Sequence, residues 1–303
     1  MSEQIENFKK TCLSKWTPDP DDLDERLRGF EVGFEQWLAQ IPVINRPTVL
    51  TLIENLEYYS HKTTNAWLKT LHMELVKNPE ISDENTIYVF IKSKYGKTNS
   101  SNDYWTEYKA INQINKNICI ENMDILDADD WQYIQNIVFI DDFSGSGKSF
   151  IDELKKKPDR YSGKNVFFIT INSMILAIEQ INAYCSENNI HIVLLSAFTQ
   201  EKAFERNMFS DNSRAKDEIR TMSRDFQIPK NEIFGYQKGQ ALIAFYNNTP
   251  NNTLGFIRYD TETYKSLFPR RDDPVPTWMK LKKDKMKRSQ ANYANKVDGT
   301  KGE

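Results

Sequence analysis

The segment that most constrains this chain is IVFIDDFSGSGKS, Ile137 to Ser149. Four apolar residues, Ile137 to Ile140, run straight into two adjacent carboxylates, Asp141 and Asp142. A small glycine-rich loop follows at once, and a helix is expected to open from it. Such an apolar run reads as a buried strand of a parallel sheet. Gly145 and Gly147 let the backbone adopt a positive φ and approach a ligand closely. Consecutive N–H groups in the loop can converge on an anion, and the start of the following helix adds partial positive charge. Ser144, Ser146 and Ser149 contribute hydroxyls and Lys148 a full charge. The parts together predict a phosphate site beside a pair of acids.

The rest of the chain supports an α/β reading. Before residue 83 the pattern is helical. Leu23, Leu27, Phe30, Phe34, Trp37 and Ile41 recur at steps of four and three, one apolar helical stripe. Further helices are expected through Leu50, Ile53 and Leu56, and through Trp67, Leu68, Leu71 and Leu75. From Thr86 short β-branched and aromatic runs take over: TIYVFIK, NIVFIDD, NVFFITI and HIVLLSA. Between them lie helical patterns around Tyr104, Tyr108 and Ile111, from Ser149 to Lys157, and from Met174 to Asn188. Strands alternating with helices predict a mainly parallel sheet flanked by helices. Asp211 to Phe226 reads as a charged helix. GQALIAFYNNTPNNTLGFIRY reads as a strand, a Pro/Asn loop and a second short strand. The expected organisation is a helical region over 1–82, an α/β domain over 83–268, and a polar, basic tail over 269–303.

Composition excludes several classes. The net charge of −3 over 303 residues gives no global argument for nucleic-acid binding. Cys12, Cys119 and Cys185 fit neither a disulfide framework nor a zinc spacing, and His61, His72 and His191 are isolated, so no metal site is expected. No apolar run approaches the length of a membrane span and no secretory leader is visible, so a cytoplasmic protein is expected. The basic cluster Lys280, Lys282, Lys283, Lys285, Lys287 and Arg288 reads as a solvated end, with a nucleic-acid arm as the alternative.

Two phosphate sites compete for the 137–149 segment. Gly147-Lys148-Ser149 matches the end of a Walker A loop, but its first glycine would fall at Asp142, where a carboxylate would face the bound phosphates. Neither NVFFITI nor HIVLLSA ends in the Asp that a Walker B strand needs. An ATPase or kinase is therefore disfavoured. The full segment instead resembles the signature of type I phosphoribosyltransferases: four apolar residues, two acids, a short spacer, then Ser146-Gly147-Lys148-Ser149. The resemblance implies that Asp141 and Asp142 hold the ribose hydroxyls of phosphoribosyl diphosphate (PRPP) and that residues 144–149 cradle its 5′-phosphate. Two carboxylates can also favour a developing oxocarbenium ion.

A wider resemblance covers about residues 20–270. NLEYYS (Asn55–Ser60), the loop itself and GQALIAFYNNTPNNTL (Gly239–Leu254) are similar to a bacterial group of divergent phosphoribosyltransferase-like proteins of anti-phage clusters, some of them retron-associated. This implies a type I-like fold and a defence role, with a reverse transcriptase–msDNA complex and a DNA-binding protein as possible partners. Mg²⁺ would accompany a diphosphate substrate, and a homo-oligomer is possible. The chemistry would be phosphoribosyl transfer or cleavage of an N-glycosidic bond, with a catalytically inactive nucleotide sensor or structural subunit as the alternative. The loop after TIYVFIK offers Lys92, Lys94, Lys97, Ser100 and Ser101 for the diphosphate. Asn248, Asn251 and Asn252, with Gln240 beside them, are the candidates for the base side.

Overall fold

The computed structural model describes residues 2–17, 19, 23–93, 99–271 and 277. The chain divides into two units, Met1–Arg270 and Arg271–Glu303. Of the second, only Arg271 and Thr277 are described, so the basic cluster at 280–288 lies outside the described residues, as do Lys94 and Lys97.

In chain order the elements are α1 (Ser2–Trp16), α2 (Glu25–Gln40), α3 (Arg46–Glu54), β1 (Glu57–Tyr59), α4 (His61–Leu75), β2 (Thr86–Phe90), α5 (Ser100–Ile111), α6 (Ala128–Tyr133), β3 (Asn136–Ser144), α7 (Lys148–Leu154), β4 (Asn165–Met174), α8 (Ile175–Glu187), β5 (His191–Gln200), α9 (Asn212–Asp225), β6 (Ile243–Phe245) and α10 (Gly255–Arg258). Local chemistry sets several boundaries. The Asp24 carboxylate accepts the N–H groups of Arg26 and Leu27 and caps α2. Pro47 sits in the first turn of α3. Ser60 caps α4, Asn99 caps α5, and Asp127 with Asp130 forms a capping box on α6.

Strands β2, β3, β4 and β5 form a parallel sheet in sequential order. The period-two alternation divides its side chains between two cores. Val138, Ile140, Phe167, Ile169 and Ile171 pack with Leu68, Leu71, Tyr104 and Tyr108 of α4 and α5. Ile137, Phe139, Val166 and Phe168 pack with Phe150, Leu154, Ile181 and Cys185 of α7 and α8. A strand covered on both faces has no solvent side, which is why β3 and β4 are nearly continuous apolar runs. Phe150 and Phe168 stack at 4.2 Å between centroids and 7° between planes, so the first turn of α7 is pinned to the sheet.

Two features were absent from the sequence reading. Glu57–Tyr59 is a short strand that pairs in parallel with β6, register Tyr59 to Phe245. The expected second strand after the NNTPNNT loop is the helix α10. Gly255 explains that choice: a Cβ there would lie 2.6 Å from the Glu232 carbonyl oxygen, so the chain turns tightly against a neighbour. A third core joins α1, α2, α3 and α9 to Leu242, Leu254, Phe256 and Phe268. The helical N-terminal region thereby shares packing with the last part of the α/β segment. No described helix is long and apolar enough to cross a membrane.

Candidate functional site

The site is built where β3 ends. The Ser101 hydroxyl accepts the Ile91 N–H at 2.9 Å and donates to the Ile140 carbonyl at 2.5 Å. This ties the chain just beyond β2, the start of α5 and β3 together immediately before the acids. Asp141 is 8% exposed. Its Oδ1 accepts the Ser100 hydroxyl and the Asp142 N–H, both at 3.0 Å. Burial, and then the adjacent Asp142 charge, hold its pKa well above the ordinary carboxylate value. Asp142 is half-buried.

Helix α5 brings more acid to the same place. Burial and the Asp142 charge raise the pKa of Asp103. Glu107, one turn further on, accepts from the Tyr246 hydroxyl at 3.1 Å and pairs with His61 Nε2 at 2.7 Å. Burial and the charges of Glu107, Asp103 and Asp142 push the Tyr246 phenol well above its usual range. Tyr104 is fully buried and donates to Asn247 Oδ1 at 3.2 Å. Asp103, Glu107, Tyr104 and Tyr246 did not emerge from the sequence. The spacing 100, 103, 104, 107 marks one helical face and is the signal that could have found three of them. Strands β4 and β5 add a triangle of hydroxyls, Thr170, Ser173 and Ser196, with edges of 2.7–2.9 Å.

The loop itself is compact. Gly145, Ser146 and Gly147 are buried, whereas Lys148 and Ser149 are exposed. Gly147 has φ of 69° and starts α7. A Cβ there would meet Ile181 Cγ1 at 2.8 Å, so glycine is needed both for the turn and for close contact with α8. Among the described residues, the N–H groups of Gly145, Ser146 and Gly147 and the hydroxyls of Ser144, Ser146 and Ser149 have no protein acceptor. Backbone N–H groups of buried residues without partners are costly, and an anion bound at Gly145, Ser146 and Gly147 would satisfy them. Lys148 points elsewhere: its Nζ holds Asp152 at 2.8 and 3.0 Å on the outer face of α7.

The other candidates are dispersed. The Lys92 ammonium donates to Asn122 Oδ1 at 2.5 Å, and its N–H donates to Glu153 at 3.1 Å. Ser100 and Ser101 serve Asp141 and the backbone, as described above. Asn248 Oδ1 accepts the Thr249 N–H at 2.8 Å. The Asn251 side chain is exposed, and its carbonyl accepts the Tyr236 N–H at 2.7 Å. Asn252 lies against Gly145 of the phosphate loop. Gln240 is buried and accepts the Phe204 N–H at 3.4 Å. The loop carrying these asparagines is fastened by Arg26, which donates to the Phe245 carbonyl and to Thr249 Oγ1, both at 2.7 Å. Among the described residues, no group of three or more His, Cys, Asp or Glu could hold a metal ion.

Comparison with known proteins bears on this arrangement. No curated protein matches the chain. A solved structure of a hypothetical protein from Neisseria gonorrhoeae with bound ppGpp aligns at 11% identity over 48% of this chain and 85% of its own, with a TM-score of 0.30. A family profile matches residues 34–270, a span holding both acids, the loop and every strand of the two sheets; the chain belongs to the PRTase-CE family.

Proposed function

We propose that this site binds the ribose 5-phosphate portion of PRPP or of a nucleotide, and that the protein acts as a phosphoribosyltransferase-like enzyme on it. Asp141 and Asp142 would accept hydrogen bonds from the ribose hydroxyls. The N–H groups of residues 145–147 and the nearby serines would take the 5′-phosphate. One observation carries the reading: buried, braced Asp141 and half-buried Asp142 run directly into a loop whose backbone N–H groups lack protein acceptors. Family membership supports it. Asp142, half-buried beside Asp141, also suits a transition state that builds positive charge on the sugar. Mg²⁺ would arrive with the diphosphate as part of the substrate.

Lys148 argues against the Walker reading. A Walker lysine must reach the phosphates, and this one is engaged by Asp152. A second reading, nucleotide binding without turnover, is favoured by the diphosphate side, where Lys92 and Ser101 are held in structural hydrogen bonds. Calorimetry with Mg²⁺-PRPP and with nucleoside monophosphates, followed by product analysis with a panel of bases, separates the two. Binding with release of diphosphate or base supports the enzyme. Binding without product supports the sensor, and no binding of any ribose phosphate rejects both.

We also infer a role in anti-phage defence, with a reverse transcriptase–msDNA complex and a DNA-binding protein as partners. It rests on the likeness at 55–60, 139–149 and 239–254. Plating efficiency of phage on cells carrying the gene cluster, with and without Asp141→Asn, tests it; equal protection would reject a role for this site in defence.

A further inference from the structure

One side chain covers the phosphate loop. Asn252 is 5% exposed and its carboxamide lies across Gly145. A Cβ at Gly145 would fall 2.1 Å from Asn252 Oδ1 and 2.2 Å from Cγ. The same residue passes over two further glycines. A Cβ at Gly239 would lie 2.9 Å from the Asn252 Cβ, and one at Gly235 would lie 2.1 Å from the Asn252 carbonyl oxygen. Three glycines from two separate stretches therefore leave room for one asparagine.

The asparagine is held from its other side. Its Nδ2 donates to the Tyr236 carbonyl at 3.1 Å, and its own carbonyl accepts the Ala241 N–H at 3.0 Å. The holding segment is conformationally unusual. Gly235, Gln237, Lys238 and Gln240 have φ of 73°, 52°, 56° and 52°. Three non-glycine residues in the left-handed region within four positions are strained, and such strain persists only where surrounding contacts over-determine it. Here those contacts include Asn252 and, through it, the loop.

We propose that Asn252 is a positioning residue for the 5′-phosphate site: clamped by the 235–240 segment, it holds Gly145 so that the N–H groups of Gly145, Ser146 and Gly147 converge on the anion. This builds on the ribose 5-phosphate reading above. It also gives Asn252 a place against the phosphate rather than the base. The carboxamide contributes through shape and anchoring, with one Nδ2 hydrogen held by the Tyr236 carbonyl.

The test is calorimetry of the full chain with ribose 5-phosphate and, in parallel, with unphosphorylated ribose, alongside a thermal melt. Asn252→Ala is expected to weaken ribose 5-phosphate binding by about tenfold to a hundredfold, the range expected when a binding group is displaced by about an ångström. Any residual affinity for ribose should be unchanged, because the acids that hold the sugar are untouched. Packing alone would move the melting temperature and both ligands together. Gly145→Ala, which places a methyl group inside Asn252, is expected to weaken the phosphorylated ligand similarly. Adding Asn252→Gly to it should leave the affinity as weak as in Asn252→Ala, because it vacates that space but also removes the clamp, and this pair decides the matter if Asn252→Ala does not fold. Wild-type affinity in Asn252→Ala, or in the double variant, overturns the positioning role and leaves the ribose 5-phosphate reading standing. Absence of binding by the wild-type chain removes both.

Discussion

Replacing Asp141 by Asn tests whether this acid is held in place at the expense of stability. Asp141 Oδ1 accepts two hydrogen bonds, from Ser100 and from the Asp142 N–H, each at 3.0 Å. An amide oxygen can accept both, so the substitution preserves them. It also removes a charge that the neighbouring Asp142 repels. The Asp141 pKa is raised, first by burial and then by Asp142. A carboxyl whose folded pKa lies above its unfolded value contributes full stability below the unfolded value, near pH 4, and loses it as the pH climbs through the folded pKa. Asp141→Asn lacks that loss. Its advantage over the wild type should therefore be small at pH 4 to 5 and larger at pH 8. Relief of a buried, poorly compensated polar group is worth about 1–3 kcal/mol. At roughly 2–4 °C per kcal/mol for a chain of this order of size, several degrees should separate the melting temperatures at pH 8. The same variant should bind ribose 5-phosphate about tenfold or more weakly, because hydrogen bonds to a charged group are worth about 1.5–3 kcal/mol. Thermal melts across pH 4–8 and calorimetry at pH 7.5 measure the two effects. A variant that melts lower than wild type at pH 8, or that binds equally well, would refute the reasoning.

Other substitutions have equally definite expectations. Gly147→Ala combines a φ of 69° with a Cβ 2.8 Å from Ile181 Cγ1, so denaturant unfolding should show a loss of about 2–4 kcal/mol from strain and overpacking. Phe150→Ala removes a ring stacked on Phe168 at 4.2 Å and should cost about 3–5 kcal/mol. Burial lowers the pKa of His72, which hydrogen-bonds Tyr108 at 2.8 Å. A depressed histidine contributes stability above its unfolded value and loses it as pH falls through the folded value. His72→Gln should therefore flatten the decline in melting temperature below about pH 6.5.

The order of elements from Thr86 to Gln200 was legible because each strand there is covered on both faces and each helix carries one apolar stripe. The cut between the 82nd and 83rd residues was drawn from a change of period. It could not foresee that Glu57–Tyr59 would pair with a strand nearly two hundred residues later. A three-residue strand has too few positions to show a period, and although GQALIAF reads as a strand, nothing in it names its partner. Leu254 to Tyr259 was read as a strand because it is apolar and short; the close approach of Gly255 to Glu232 made it a helical turn.

The sequence by itself determined the chemistry at the end of β3. Adjacent acids, two loop glycines and flanking hydroxyls are contiguous in the chain, and the strand before them and the helix after them leave little freedom in how they are presented. Only the tertiary structure decided what surrounds them. Asp103 comes near Asp142 because α5 packs along β3, and Tyr246 and Asn252 reach the site because the chain returns after β6. Local order encodes groups that act side by side, whereas groups brought together from distant segments are selected by packing, which no single stretch of residues records.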